Sequence, residues 1–212
     1  MKIRVTGVVV ALVLGVVGSA EGQVAWDSPM LASPRQIPGI GIHLMSPAGG
    51  DLGVMGTWRA RTGNIGLRFG LADDGHPHDN LAVFGGVDVQ DMIAPYSADF
   101  PLDVAWTAGI GLGAGSAGAL VSVPLGISLG RSLRSSSAIF TPYVTPRVIL
   151  DAFFGDGDSD LDLNLAVDVG VDLTLQPGWS VRFGGTFADR DAVSIGAVFH
   201  PSGVRGRADS VR

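Results

Sequence analysis

The sequence contains no cysteine, which excludes disulfides and thiolate metal sites in any compartment. It has a single lysine, Lys2, and a single glutamate, Glu21, both close to the N-terminal end. Charged residues make up only 16% of the chain, and from residue 22 onward every one of them is Asp or Arg. A soluble secreted β-protein ordinarily covers its outside with long charged side chains of both signs, and this chain has little to do that with. A net charge of −6 argues against nucleic-acid binding as the main role. No helical periodicity follows the first twenty residues.

Those first twenty residues read as an export signal. Lys2 and Arg4 form a basic start, Val5 to Gly18 is apolar, and Gly18, Ser19 and Ala20 supply the small residues of a cleavage site after Ala20. The apolar run falls short of the ~20 residues a membrane helix needs. With no Cys at the junction, a lipoprotein anchor is excluded. Removing residues 1–20 takes two of the 14 basic residues, leaving 12 against 20 acidic and a net charge of −8.

What the chain has in abundance is glycine, 32 residues, together with 46% hydrophobic residues arranged in strict alternation. From Leu161 to Leu175 every odd position is Leu or Val, and every even position is Asp, Asn, Ala, Gly or Thr. Side chains alternate faces along a strand, so this segment has one aliphatic face and one small, acidic face. Shorter runs of the same kind start at Ile40, Leu52, Ile65, Leu81, Leu102, Val121, Phe140, Trp179 and Val193. Turn residues separate them, and the links are mostly of hairpin length. The run at 140–150 carries Pro142 and Pro146 on one face, which predicts a bent or locally unpaired strand. The pattern predicts an all-β, up-and-down antiparallel barrel of about ten strands (eight to ten), since closure removes exposed edges. It divides the chain into a signal peptide (1–20), a leader segment (21–37), the barrel (38–200) and a polar tail (201–212). An even strand number places both ends of the barrel on one side.

Alternation alone leaves open which face is inside, and the composition of the two faces decides it. The polar face combines Gly, Ser, Thr and Ala with charges of both signs: Arg59, Arg68, Arg147 and Arg182 against Asp88, Asp103, Asp151, Asp162, Asp168 and Asp172. Such a set can pair across a narrow lumen. The apolar face carries Trp58, Trp106 and Trp179, and tryptophan favours membrane–water interfaces. Runs of about nine to eleven residues match a tilted membrane-crossing strand. With the export signal, the alternating dyads, the hairpin links and the final strand VSIGAVF ending at Phe199, residues 38–200 resemble the small bacterial outer-membrane β-barrel proteins. Two features depart from that family: His200 and a tail follow the terminal aromatic, and the loops are short. The resemblance implies a transmembrane barrel in the outer membrane, in contact with outer-membrane lipid and served by the export and barrel-assembly machinery. The protein is read as a monomer with no cofactor.

Candidate chemistry is sparse. Asp156, Asp158 and Asp160 alternate in an acidic loop as oxygen ligands for Ca²⁺ would, but Leu161 and Val167 stand where the EF-hand pattern requires Gly and Glu. Asp74, His76, His78 and Asp79 cluster around an HPH sequence that lacks a further nitrogen ligand. His43 falls on the lumen face. Gly109, Gly111, Gly113 and Gly115 superficially match a nucleotide-binding loop. They lack its strand-to-helix context, and they read instead as room for bulky neighbours inside a narrow barrel. No nucleophile elbow and no His–acid arrangement emerges, so the reading is non-enzymatic. The expected function is a structural or narrow, weakly pore-forming envelope barrel with a lumen filled by side chains. The alternative is a soluble periplasmic or secreted barrel, its aliphatic faces turned inward around an apolar ligand.

Overall fold

A computed structural model describes residues 24–74, 81–155, 158–176 and 178–201. The proposed signal peptide and the tail from Ser202 lie outside them. The described chain forms eleven strands: β1 (Gly39–Ser46), β2 (Gly53–Arg59), β3 (Ile65–Asp73), β4 (Leu81–Ala94), β5 (Asp103–Gly115), β6 (Gly118–Gly130), β7 (Leu133–Arg134), β8 (Ile139–Gly155), β9 (Asp158–Gln176), β10 (Trp179–Ala188) and β11 (Ala192–Phe199). β7 is a two-residue strand paired only with the start of β8. The other ten are the staves of a closed barrel. Each pairs antiparallel with the next along the chain, β6 pairs directly with β8, and β1 closes on β11 from Ile40–Phe199 to Ser46–Val193. The fold is the expected ten-stranded up-and-down barrel.

The two sequence faces map onto the two surfaces of the wall. In β9, Leu163, Leu165, Val167 and Val169 are exposed on the outside, and Ala166, Asp168, Gly170 and Asp172 are buried inside. In β1, Ile40, Ile42 and Leu44 point out and Gly41, His43 and Met45 point in. The aliphatic faces therefore turn outward, which overturns the alternative of a soluble barrel with an apolar interior. The interior is largely polar, with Arg59, Arg68, Asp88, Thr107, Ser122, Ser128, Thr145, Arg147, Asp168 and Arg182 all buried, beside an apolar cluster that includes Met45, Met55 and Phe84.

Two strands differ from expectation. β4 outruns the alternating stretch that begins at Leu81 and ends at Val89, continuing through Gln90 to a bulge at Met92–Ala94. Gln90 continues the inward parity of Ala82, Phe84 and Asp88, so the ladder gains a polar lumen residue by extending. β8, expected to be bent or locally unpaired, pairs without interruption to β9 along its whole length. Its ladder to β6 breaks only between Arg147 and Val144, beside Pro146. A proline lacks only its N–H, so it interrupts the ladder on one side and leaves the other intact.

The largest departure concerns residues 24–38. Expected as a leader outside the barrel, this segment runs through the lumen from end to end. One end of the barrel holds the β1–β2, β3–β4, β5–β6, β8–β9 and β10–β11 links. Here Ala25 N–H donates to the carbonyl of Ala48 at 3.0 Å. At the other end, Pro38 meets His200 before the chain turns into β1. Residues 24–34 are all buried. The described chain thus crosses the barrel eleven times, once inside and ten times in the wall. Val24 and Pro201 consequently lie at opposite ends, although β1 starts and β11 finishes at the same one.

Candidate functional site: the barrel lumen

The floor of the lumen is shaped by glycine. Gly86 on β4 and Gly109 and Gly111 on β5 lie under the indole of Trp26, which is fully buried. A Cβ at Gly111 would stand 2.5 Å from the ring and one at Gly109 2.8 Å from it, so neither position can hold a larger residue beside Trp26. Gly113 faces the main chain of Val24. The glycine run does make room for a bulky neighbour, as its lumen parity implied, and that neighbour comes from the inner segment. The indole N–H donates to the carbonyl of Ser122 at 3.1 Å, and the Arg68 guanidinium lies 5.5 Å from the ring centroid.

Below Trp26 lies an ion cluster. Asp27 accepts from Arg147 of β8 and from Arg190 of the β10–β11 turn. Arg147 also donates to Asp168 through Nε at 2.5 Å and Nη2 at 3.1 Å. Arg190 also reaches Asp151. Asp168 further accepts from Thr186 Oγ1 at 2.5 Å and from the Met30 N–H at 3.3 Å. Each charge of this cluster therefore has an opposite partner, which offsets the cost of burying it.

The segment's main chain is read as closely as its side chains. Arg68 donates to the carbonyls of Pro29 (3.3 Å) and Met30 (2.7 Å). Ser128 (2.5 Å) and Thr145 (3.3 Å) donate to that of Ala32, and Gln90 Nε2 to that of Ser33 at 2.7 Å. Arg147 Nη2 donates to the carbonyl of Asp27 at 3.1 Å. At the exit, Arg35 grips Asp103 with two bonds of 2.7 Å.

Of the charge network expected from sequence, Arg59 and Arg68 share Asp88, Arg147 holds Asp168, and Arg182 makes a two-pronged pair with Asp172 at 2.8 and 3.1 Å. Asp103 and Asp151 take their arginines from elsewhere: Arg35 of the inner segment and Arg190 of a turn, neither of which was anticipated. Asp162 stands apart. It is exposed where β9 rises beyond β10, opposite Asp151 in register, with no ion-pair partner among the described residues. Asp27, Gln90 and the two extra arginines are the residues that sequence reasoning missed. One signal was available, since four arginines faced six aspartates on the predicted lumen face.

The other candidates gather no chemistry. Asp156 lies outside the described residues, as do His76, His78 and Asp79. Asp158 opens β9, and Asp160 is exposed with its carboxylate on the N–H of Leu161. Among the described residues no three metal-binding side chains converge. Asp74 accepts from the hydroxyl of Ser116 at 2.5 Å. His43 is buried with Nε2 3.2 Å from Thr57 Oγ1. Ser180 and His200 are 2.7 Å apart, yet both are buried, and the other ring nitrogen of His200 meets a main-chain carbonyl, that of Pro38, at 2.8 Å. A serine–histidine pair with no carboxylate behind it and no open face lacks the requirements of a nucleophile.

A cavity of about 20 Å³ remains beside Leu31, Arg59, Arg68, Asp88 and Arg182, room for one water.

No family model and no curated protein matches the chain. Among solved structures it is similar to a de novo designed transmembrane β-barrel, at 12% identity and a TM-score of 0.36, covering 78% of this chain and 97% of that one. It is also similar to Ail, the attachment invasion locus protein of Yersinia pestis, crystallised with the heparin analogue sucrose octasulfate. That match has 11% identity and a TM-score of 0.31, and covers 76% of this chain and 94% of that one.

Proposed function

We propose that this protein is a non-enzymatic outer-membrane β-barrel, closed to solute flow by its own N-terminal segment and structural in role. The observation that carries the reading is the outer surface. Ile42, Leu44, Phe69, Leu71, Leu125, Leu163, Val169, Phe183 and Ile195 stand outward all around the wall, many of them more than half exposed. Water does not tolerate such a continuous apolar belt on a monomer, and lipid requires it. Trp58, Trp106 and Trp179 sit at the barrel end where Phe199 finishes the last strand, with Trp179 and Phe199 ring centroids 5.0 Å apart. That arrangement suits the aromatic belt of a membrane interface. A closed barrel is also one of the two structures that satisfy every backbone group within a bilayer.

The occupied lumen supports a structural role over a porin-like one. Barrels of this strand number have interiors near the size that side chains fill, and here a stretch of main chain is packed in as well. The test is membrane fractionation followed by electrophoresis. The protein should sediment with outer membranes, resist extraction by salt, and migrate differently before and after boiling in detergent. In planar bilayers it should show no steady conductance. Recovery in the soluble fraction without detergent would overturn the membrane reading, and a steady open channel would overturn the closed one.

A further inference from the structure

We infer that the lumen is a binding site for a polypeptide segment, occupied in cis by residues 24–38 and able to take the same sequence in trans. The site is built as a peptide site is built. It reads main-chain carbonyls at Asp27, Pro29, Met30, Ala32 and Ser33 through Arg147, Arg68, Ser128, Thr145 and Gln90. It has a flat glycine floor for one aromatic ring, a pair of arginines for one carboxylate at Asp27, and a carboxylate for one guanidinium at Arg35. A lumen meant only to be filled would need side chains of sufficient volume from its own wall. This wall instead withholds volume at Gly86, Gly109 and Gly111 and aims its donors at a separate strand of chain. The ligand is thus a peptide folded through turns at Trp26–Asp27 and Pro34–Arg35, with an aromatic–acid pair at one end and an arginine eight residues further on.

A tethered segment holds its site at an effective concentration in the millimolar range, so the natural chain gives a free peptide no opening. The experiment therefore uses the full-length protein carrying Trp26→Ala and Asp27→Ala, which removes the ring and the acid from the tethered copy and leaves the wall intact. The probe is a synthetic peptide of residues 24–38. Heat-dependent gel migration first establishes that the variant folds as a barrel, and this readout also separates failure here from failure of the membrane reading. The variant should conduct in planar bilayers, and the 24–38 peptide should block it. A peptide of scrambled order should not block, and one carrying Asp27→Ala should need about tenfold more for the same effect, the equivalent of one charge-assisted hydrogen bond. Fluorescently labelled peptide should bind the variant and leave the natural protein unlabelled. A folded variant that neither conducts nor binds the peptide would overturn the inference. So would one whose current is indifferent to peptide sequence.

Discussion

Val169 and Asp168 are adjacent on β9 and face opposite ways, so one substitution at each asks which side meets lipid. Val169 is 47% exposed on the outer surface and Asp168 is 1% exposed within the lumen. Arginine on the lipid side costs about 2–4 kcal/mol at the bilayer midplane and about 0–1 near its edges. At the midplane cost of about 2–4 kcal/mol, Val169→Arg shifts the folding equilibrium by roughly thirtyfold to several-hundredfold. Asp168→Asn keeps the shape and one acceptor oxygen but turns an NH₂ toward donors, since Arg147, Thr186 and the Met30 N–H all point at this carboxylate. Weakening such charge-assisted bonds costs about 1.5–3 kcal/mol. Arg147 keeps Asp27, so the heavier cost of a stranded buried charge does not apply. The two costs overlap in size, and the step at which each acts distinguishes them. Val169→Arg opposes transfer into the bilayer, whereas Asp168→Asn loosens the lumen of a barrel already inserted. Refolding from urea into lipid vesicles, scored by the fast-migrating band of unboiled samples, should give a depleted yield for Val169→Arg. Asp168→Asn should insert at normal yield with a lower unfolding midpoint. If Val169→Arg inserts normally while Asp168→Asn fails to insert, the faces have been assigned the wrong way round.

Gly111→Leu should expel Trp26 from its floor, because even a Cβ there would lie 2.5 Å from the indole. In a background of Trp58→Phe, Trp106→Phe and Trp179→Phe, Trp26 emission should shift to the red, and unchanged emission would count against the packing described. At the barrel exit, burial holds the His200 imidazole below its ordinary pKa, with Arg182 adding to the effect and the bond to the Pro38 carbonyl partly opposing it. The neutral ring is therefore the native form. Its contribution is complete above the unfolded value of ~6.5 and is lost as pH falls from there toward the folded value. Unfolding midpoints between about pH 7.5 and about pH 5 should fall more steeply in the natural protein than in His200→Asn, and equal slopes would refute the clasp. Finally, the chain has no cysteine, so a single thiol can report sidedness. Asp51→Cys, in the exposed β1–β2 link where Ala25 enters the lumen, and Pro201→Cys should react with an impermeant thiol reagent from opposite sides of the membrane, and labelling from the same side would show that these two ends of the barrel do not lie across it.

The wall of this barrel was legible because its rule is local. A strand with one face in lipid and one in a lumen must alternate, and the parity of Leu161–Leu175 assigns every side chain once the faces are told apart by composition. The same parity assigned Arg59, Arg68, Asp88, Arg147, Asp168, Asp172 and Arg182 to the inside, where the structure has them. It overshot at Asp162, because parity says nothing about how far a strand climbs beyond its neighbours. The local unpairing predicted from Pro142 and Pro146 falls on one side only, in the ladder to β6 beside Pro146, because a proline lacks its N–H and keeps its carbonyl.

The inner segment was illegible for the opposite reason. Residues 24–38 make no β-ladder of their own, and their bonds run to side chains on strands far off in sequence: Trp26 to Ser122, Asp27 to Arg190, Ser128 to Ala32. Nothing periodic can encode contacts of that kind. What the sequence did contain was a mismatch between wall and contents. Glycines on β4 and β5 left a volume that no wall residue filled, and with Asp162 outside the lumen five inward aspartates faced four inward arginines, two of which share Asp88. Arg35 and Arg190 settle the surplus at Asp103 and Asp151, while Trp26 settles the volume. Both deficits pointed to a component from outside the alternating strands, since protein interiors are close-packed and a buried charge needs an opposite partner. In a barrel sequence, then, an inward glycine stripe that no wall side chain fills points to an internal segment, and the non-periodic stretch nearest the first strand is where to look for it.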